Sequence, residues 1–181
     1  MTSRRQFLQQ GSLGFFSSLI LPLPAFAKDT SDFSGMVVNE EDGETYRMRD
    51  GTAILKIKIA KVQGAEISFL SESYRPGDFG PVHKHLNEDE LIFFHKGSGL
   101  FTLADKHYPV KEGSVVLVPK GVWHGWQNTG TENIEMRFSF TPSGFEGFFR
   151  EVGTAIGQPF VQKTMEERRA IAKKWGMIYK D

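Results

Sequence analysis

The feature that most constrains the fold is a succession of short β-type runs, separated by turn residues, between residues 35 and 140. In the clearest run Leu55 and Ile57 alternate with lysines, which is typical of a strand with one apolar face. The next run places Ile67 and Phe69 on its apolar face. Further runs cover residues 82–86, 90–95, 100–103, 108–110, 114–118, 122–127 and 134–140. Many short strands at this spacing predict an antiparallel sandwich or barrel, and therefore an all-β fold.

The pattern becomes helical over residues 142–181. The capping-box pattern of Ser143–Glu146 predicts the start of a first helix, which Gly157 ends. Its apolar face at helical spacing consists of Phe145, Phe148, Phe149, Val152, Ala155 and Ile156. A second capping box, Thr164–Glu167, predicts a second helix that ends at Gly176. We expect both helices to pack against the sheet.

The first 27 residues have the three parts of a secretory signal: a basic start, a short apolar run and a small-x-small site that ends at Ala27. The apolar run is about half the ~20 residues that a membrane span needs. Arg4 and Arg5, followed by Phe-Leu, resemble the twin-arginine export signal of bacteria. We expect cleavage after Ala27, a flexible leader over 28–34, and a periplasmic or secreted protein with no stable membrane span. A retained N-terminal anchor is the alternative.

The charge balance and the absence of cysteine exclude several classes of function. Lys+Arg and Asp+Glu both number 22, so the chain lacks the basic footprint of a nucleic-acid-binding protein. Without cysteine it has no disulfide scaffold, no thiolate metal ligand and no cysteine nucleophile. A metal site in this chain therefore has to use imidazole and carboxylate groups.

Three of the five histidines and one glutamate stand in a pattern that suits such a site. His83 and His85 are two residues apart on a predicted strand, so both point to the same face. Glu90 begins the next run and His124 lies far downstream, but strands that wrap into a barrel can bring all four together. Three imidazoles and one carboxylate suit Mn, Fe, Ni, Cu or Zn and leave coordination positions open for a substrate. A His-x-His pair alone would fit a structural role equally well.

The spacing around these residues resembles the two signatures of the cupin family. The two sets are Gly77, His83, His85, Glu90 and Gly97, with intervals of five, one, four and six residues, and Gly113, Pro119, Gly121, His124 and Asn128, with intervals of five, one, two and three. The resemblance implies a cupin jelly-roll β-barrel over residues 35–141, followed by two C-terminal helices over 142–181. It also implies that His83, His85, Glu90 and His124 bind one divalent transition metal, with Mn or Fe favoured over Ni, Cu or Zn. Asn128 is expected to stabilise a turn rather than bind the metal.

Alternation along the strands predicts which side chains lie beside the metal. The candidates for the pocket wall are Ile92, Phe94, Trp126, Phe138 and Phe140, although plain core packing is the alternative role for them. Such a wall suits an aromatic or otherwise apolar substrate better than oxalate, which needs cationic or hydrogen-bonding partners. His95 has the opposite parity to Glu90 and His107 lies in a turn, so neither is expected at the site.

The resemblance implies several functions without choosing among them. The segment after the predicted barrel resembles small bacterial cupins called quercetin-dioxygenase-like. This favours an exported metal-dependent oxidoreductase, a dioxygenase acting on a small aromatic or enolic substrate, with Glu90 as both metal ligand and general base. A non-catalytic periplasmic protein that binds a metal or small ligand, and a metal-dependent isomerase or lyase, are the alternatives. Pairing of edge strands would give a homodimer.

Overall fold

The computed structural model of the chain describes residues 35–62 and 64–181. The predicted signal peptide (1–27) and leader (28–34) lie outside the described residues. The strands are β1 (Glu44–Met48), β2 (Ala53–Ile59), β3 (Ser68–Tyr74), β4 (Phe79–His85), β5 (Asp89–Lys96), β6 (Ser98–Leu103), β7 (Lys106–Lys111), β8 (Val115–Val118), β9 (His124–Gln127), β10 (Ile134–Thr141), β11 (Thr154–Ala155) and β12 (Met177–Tyr179). The helices are α1 (Glu146–Val152) and α2 (Met165–Lys174).

The strands form two antiparallel sheets that face each other across an aromatic core. The order is β11-β1-β2-β3-β10-β5-β8 in the seven-stranded sheet and β12-β4-β9-β6-β7 in the five-stranded sheet. Across the interface the rings of Tyr74 and Trp126 lie 3.7 Å apart, and those of Phe94 and Phe101 lie 6.2 Å apart, measured between centroids. Over residues 35–62 and 64–181 no strand pairing joins the two sheets, so the predicted jelly-roll barrel is not closed, and the two-sheet arrangement is consistent with a cupin jelly roll.

Alternation predicted the buried face of β2 correctly and that of β3 wrongly. Leu55 and Ile57 of β2 are 0% and 1% exposed. Ile67, however, precedes β3 and is exposed, and Phe69 lies on the outer face of the strand. The buried face of β3 carries Ser68, Leu70, Glu72 and Tyr74. This face borders a cavity whose wall includes polar side chains. The buried side of β3 therefore cannot be recognised from apolar residues alone.

The first C-terminal helix is shorter than the apolar face predicts. α1 ends at Val152, and Ile156 is 55% exposed. Gly153 follows, where an added Cβ would lie 2.8 Å from the Met48 sulfur and 2.9 Å from the Tyr46 Cβ. The chain then leaves the helix and pairs as β11 with β1. The prediction of helix beyond Val152 is wrong because the free edge of β1 offers hydrogen-bonding partners that local periodicity does not reveal.

The predicted first capping box is also wrong. The N-cap of α1 is Phe145, and no side chain caps the helix. Glu146 is 1% exposed, and its carboxylate accepts hydrogen bonds from the backbone N–H groups of Lys61, at 2.7 Å, and of Gly144, at 2.8 Å. The glutamate therefore ties the helix to the segment after β2 instead of closing a box with Ser143.

The second capping box is confirmed, but the end of the chain contains a strand that was not predicted. The Thr164 hydroxyl accepts from the Glu167 N–H at 3.2 Å, and the Glu167 carboxylate accepts from the Thr164 N–H at 2.7 Å. After α2 the chain pairs as β12 with β4, so that Tyr179 lies opposite His83. Residues 142–181 thus add a strand beside the one that carries two of the predicted ligands. In the described part of the chain, neither helix has the length and apolar character needed to cross a membrane.

Candidate metal centre

The predicted ligands come from both sheets. β4 places His83 and His85 on one face, and β9 places His124 opposite His83 in the five-stranded sheet. Glu90 lies on β5 of the seven-stranded sheet. Three imidazoles of one sheet therefore face a carboxylate of the other, and we call these four side chains the His–Glu cluster.

The four groups are close enough to share one ion. One ligand atom from each side chain can be chosen so that all lie within 4.8 Å of one another. A carboxylate oxygen (Oε2) of Glu90 is 2.9 Å from Nε2 of His124 and 3.6 Å from Nε2 of His85. His85, Glu90 and His124 are buried, whereas His83 is partly exposed.

Backbone carbonyls orient two of the rings. Nδ1 of His83 donates to the Pro81 carbonyl at 2.7 Å, and Nδ1 of His124 donates to the Val122 carbonyl at 3.1 Å. In this tautomer the free lone pair is on Nε2, so Nε2 is the nitrogen that can bind a metal. The third ring, His85, instead has a carboxylate near its Nδ1.

That carboxylate belongs to Glu88, whose Oε2 lies 4.0 Å from Nδ1 of His85. Glu88 is 6% exposed, and burial raises its pKa to about 7. The sequence placed Glu88 in a polar link between two runs, and nothing in the local pattern indicated that its side chain turns inward.

The cluster contains buried polar atoms that lack hydrogen-bond partners in the part of the chain the structure describes. They are Nε2 of His85, Nε2 of His124 and Oε2 of Glu90. Buried polar atoms are normally satisfied, so unpartnered atoms that converge on one point fit a shared cation. The donor set of imidazole nitrogens and a carboxylate oxygen is suited to a divalent transition metal. These residues could therefore hold a metal.

The electrostatics of the cluster favour the metal-binding protonation states. Burial lowers the pKa of His83 well below its ordinary value, and the neighbouring His124 and His85 lower it further. Burial also lowers the pKa of His85. Burial alone would raise the pKa of Glu90, but the close imidazoles of His124 and His85 outweigh burial and lower this pKa overall. Neutral imidazoles at His83 and His85 and an ionised carboxylate at Glu90 can bind a cation without first releasing protons.

The His–Glu cluster borders a small cavity of about 90 Å³ that opens to the surface of the protein. Four of the predicted wall residues line this cavity: Ile92, Trp126, Phe138 and Phe140. Phe94 does not line it. This side chain is fully buried and packs edge-to-face on Phe101, because Phe101 of the facing sheet fills the space at that level. We call this space the aromatic cavity.

The aromatic cavity also has a charged and polar region that the sequence did not reveal. Its side chains are Arg49, Glu72, Tyr74, Arg168 and Tyr179. Arg49 follows β1 and Arg168 belongs to α2, so the two arginines come from opposite ends of the described chain. Neither stands in a motif, and only the tertiary structure brings them to one site.

The other singled-out residues lie outside the cluster, as predicted, but His107 lies on strand β7 rather than in a turn, because residues 106–111 pair with β6. His95 and His107 are exposed and outside the cluster, and the Thr102 hydroxyl lies 2.9 Å from Nδ1 of His107. Asn128 is buried and stabilises a turn. Its amide donates to the carbonyls of Tyr74 and Glu132, and its side-chain oxygen accepts from the Gly130 N–H at 3.0 Å.

Comparison with known proteins supports the cupin family. Residues 70–140 match the family described as Cupin domain. Acireductone dioxygenase of Stenotrophomonas maltophilia is 42% identical over 84 residues, which cover 43% of this chain and 43% of that protein. The oxalate-binding protein of Thermotoga maritima is 35% identical over 60 residues, which cover 33% of this chain and 50% of that protein. The chain therefore spans half or less of the length of these two relatives.

A solved structure shares the fold. The crystal structure of an RmlC-like cupin from Shewanella frigidimarina has a TM-score of 0.52 and 17% sequence identity, over 61% of this chain and 93% of that chain. At this level of identity the likeness concerns the fold alone. Together with the domain match, it supports a cupin jelly-roll arrangement for the two sheets.

Proposed function

We propose that this cupin-domain chain is a metal-dependent oxidoreductase of the dioxygenase type, acting on a small aromatic or enolic substrate. The observation that carries the proposal is the convergence of three imidazoles and one carboxylate beside the aromatic cavity. The similarity to acireductone dioxygenase supports it.

The His–Glu cluster would hold one divalent transition metal. When bound, this ion supplies a Lewis acid for a substrate hydroxyl or enolate oxygen and a path for electrons. The proposed ion is Mn or Fe, with Ni, Cu and Zn as alternatives that have the same ligand preferences.

The chain itself supplies a base and an apolar enclosure. Glu90 borders the cavity, and a carboxylate that is ionised at neutral pH can accept a proton from a substrate held beside it. Trp126, Phe138 and Phe140 offer aromatic faces that bind the body of the substrate and exclude water. In this proposal the substrate proton moves to the carboxylate of Glu90.

The test combines metal content with oxygen uptake. We expect the wild-type protein to retain about one equivalent of metal, and His83→Ala, His85→Ala and His124→Ala each to lose most of it, because each removes one of four ligands. His95→Ala is the matched control, since His95 is exposed and outside the cluster, and it should keep the metal. Full metal content in the three cluster variants would contradict the site. An oxygen electrode then screens phenolic and enolic substrates with the loaded protein.

The second candidate is a non-catalytic protein that binds a metal or small ligand, and the similarity to an oxalate-binding protein favours it. A loaded protein that binds ligands but consumes no oxygen across the screen would support this candidate. Turnover of a substrate without oxygen uptake would instead indicate an isomerase or lyase.

We also propose that the protein is exported to the periplasm or secreted. The support is the signal-like pattern of residues 1–27, with its Arg4-Arg5 pair. Changing both arginines to lysine keeps the charge but removes the guanidinium pair, so export should stop. Wild-type levels of the double variant outside the cytoplasm would contradict the twin-arginine interpretation. Mass measurement of the processed protein should find Lys28 at its N-terminus.

A further inference from the structure

Among residues 35–62 and 64–181, two arginines and no lysine border the aromatic cavity. Arg49 lies in the turn between β1 and β2, and Arg168 lies on α2, both outside the segment that matches the Cupin domain. Guanidinium groups bind carboxylates through paired, planar hydrogen bonds. In a cavity that is otherwise largely aromatic, the two guanidinium groups therefore favour a ligand that carries a carboxylate.

The guanidinium of Arg49 is held in place but not satisfied. Its Nη2 is buried and has no hydrogen-bond partner in the described chain. Arg49 forms an ion pair with Glu72, whose Oε1 is 3.6 Å from Nη2, too long for a hydrogen bond, and the other carboxylate oxygen, Oε2, accepts from the Tyr74 hydroxyl. The guanidinium carbon lies 4.6 Å from the centre of the Tyr74 ring. A guanidinium nitrogen that is buried in the wall of a cavity and makes no hydrogen bond is suited to an anionic group of a ligand, even though an ion pair holds the side chain.

The backbone at Arg49 adds a second observation. Its φ of +34° lies in the left-handed region, which disfavours residues with a side chain. Strained positions of this kind cluster at binding and catalytic sites, where the surrounding structure holds them. Here the surroundings that hold the side chain are the Tyr74 ring and Glu72.

The charges of the cavity also favour an anion. The two positive charges of Arg49 and Arg168 are balanced at most by the two carboxylates of the cavity, Glu72 and Glu90. A divalent ion in the His–Glu cluster then gives the cavity a net positive charge. An uncharged aromatic substrate would leave this charge uncompensated.

We propose that the substrate is an aromatic or enolic carboxylate, whose carboxylate group is bound by Arg49 and Arg168 while its hydroxyl or enolate oxygen faces the His–Glu cluster. The metal end of this arrangement rests on the proposed function. The cavity thus selects for an acid group as well as for an apolar body, which an entirely aromatic wall would not do.

The test measures binding rather than turnover. The full chain is loaded with redox-inert Zn²⁺, its metal content is verified, and two probes of matched size are titrated by calorimetry: 3,4-dihydroxybenzoate and 3,4-dihydroxybenzamide. We expect the acid to bind at least about tenfold more tightly than the amide, because the acid alone forms charge-assisted hydrogen bonds with the arginines. Arg49→Gln and Arg168→Gln should each reduce this preference.

Two further variants make the result interpretable. Arg137→Gln is the matched control, because Arg137 is exposed on the outer face of β10 between two cavity-lining residues, and it should keep the full preference. Arg49→Gln could be unstable, because Glu72 would lose its counter-charge. In that case the double variant Arg49→Gln/Glu72→Gln removes both charges, and it should fold but show no preference for the acid over the amide.

Equal affinity of the Zn²⁺-loaded wild type for acid and amide would overturn the inference and leave the proposed metal site intact. A preference that survives in both arginine variants would overturn the assignment to these two residues. A wild-type protein that binds no metal would instead contradict the proposed function.

Discussion

Gly80 on β4 gives a sharp test of how the aromatic cavity is packed. A Cβ added there would lie 2.4 Å from Nε1 of Trp126, 2.5 Å from Cε2 and 2.9 Å from Cζ2. The backbone of Gly80 lies outside the left-handed region, so Gly80→Ala tests space rather than backbone strain. To reach an ordinary contact the indole has to move by roughly one ångström.

The indole is not free to move. Its other neighbours include the Tyr74 ring, at 3.7 Å between centroids, and the Arg49 guanidinium, at 5.7 Å. Overpacking of this kind destabilises the fold by about 1–3 kcal/mol. Replacing glycine by alanine also lowers the entropy of the unfolded chain, which stabilises the fold by about 0.4–1 kcal/mol. We therefore expect Gly80→Ala to lower the free energy of unfolding by about 1–2 kcal/mol, and Tm by about 2–8 °C. Metal content should not change, since the His–Glu cluster is intact.

A double-mutant cycle isolates the clash. Trp126→Phe removes the fused-ring atoms that Gly80→Ala would strike, so the double variant should be less destabilised than the sum of the two single variants, by about 1 kcal/mol. Urea unfolding of the four metal-free proteins gives the coupling energy. Trp123→Phe is the matched control, because none of the three atoms nearest to a Cβ at Gly80 belongs to Trp123, and it should combine with Gly80→Ala additively. Additivity at Trp126 within about 0.5 kcal/mol would refute the packing argument.

Three other changes test the chemistry and the supporting contacts. Glu90→Gln should lose turnover by roughly 10²–10⁴-fold but lose much less metal, because three imidazoles remain, and a loaded variant with a near wild-type rate would refute the base role. His83→Gln should make the metal-free protein less sensitive to acid. Since the pKa of His83 is lowered in the fold, the unfolded chain binds more protons below pH 6.5, and the wild type should lose about 1.4 kcal/mol more per pH unit than the variant in urea titrations. Equal slopes would show that His83 is not buried as a neutral ring. Glu146→Ala should cost about 2–4 kcal/mol by leaving the Lys61 and Gly144 N–H groups without an acceptor, and Glu146→Gln, which keeps one acceptor oxygen, should cost less in the same titration.

The sequence by itself determined the features that depend on near neighbours. The alternation of Leu55 and Ile57 with lysines predicted a strand and its buried face, because side chains of a strand point to alternate sides. The same rule placed His83 and His85 on one face, and the Thr164–Glu167 spacing predicted the start of α2. Each of these features depends on residues that are no more than a few positions apart.

The convergence of the four predicted ligands needed more than local pattern. Glu90 and His124 are 34 positions apart and belong to different sheets, yet Oε2 of one lies 2.9 Å from Nε2 of the other. The sequence could anticipate this only through the cupin-like spacing, which carries information about the fold as a whole. Whether these side chains bind a metal stays a prediction.

Only the tertiary structure decided which elements enclose the cavity and what charge they bring to it. The inner face of β3 carries Glu72 and Tyr74, so alternation of apolar residues pointed to the wrong side of that strand. Arg49 and Arg168 are more than a hundred positions apart, and they line the same cavity because β1 and the C-terminal segment both pair with strands of the two sheets. Hydrogen bonds at free strand edges, as in the pairing of β12 with β4, are contacts between distant segments and leave no local pattern in the sequence.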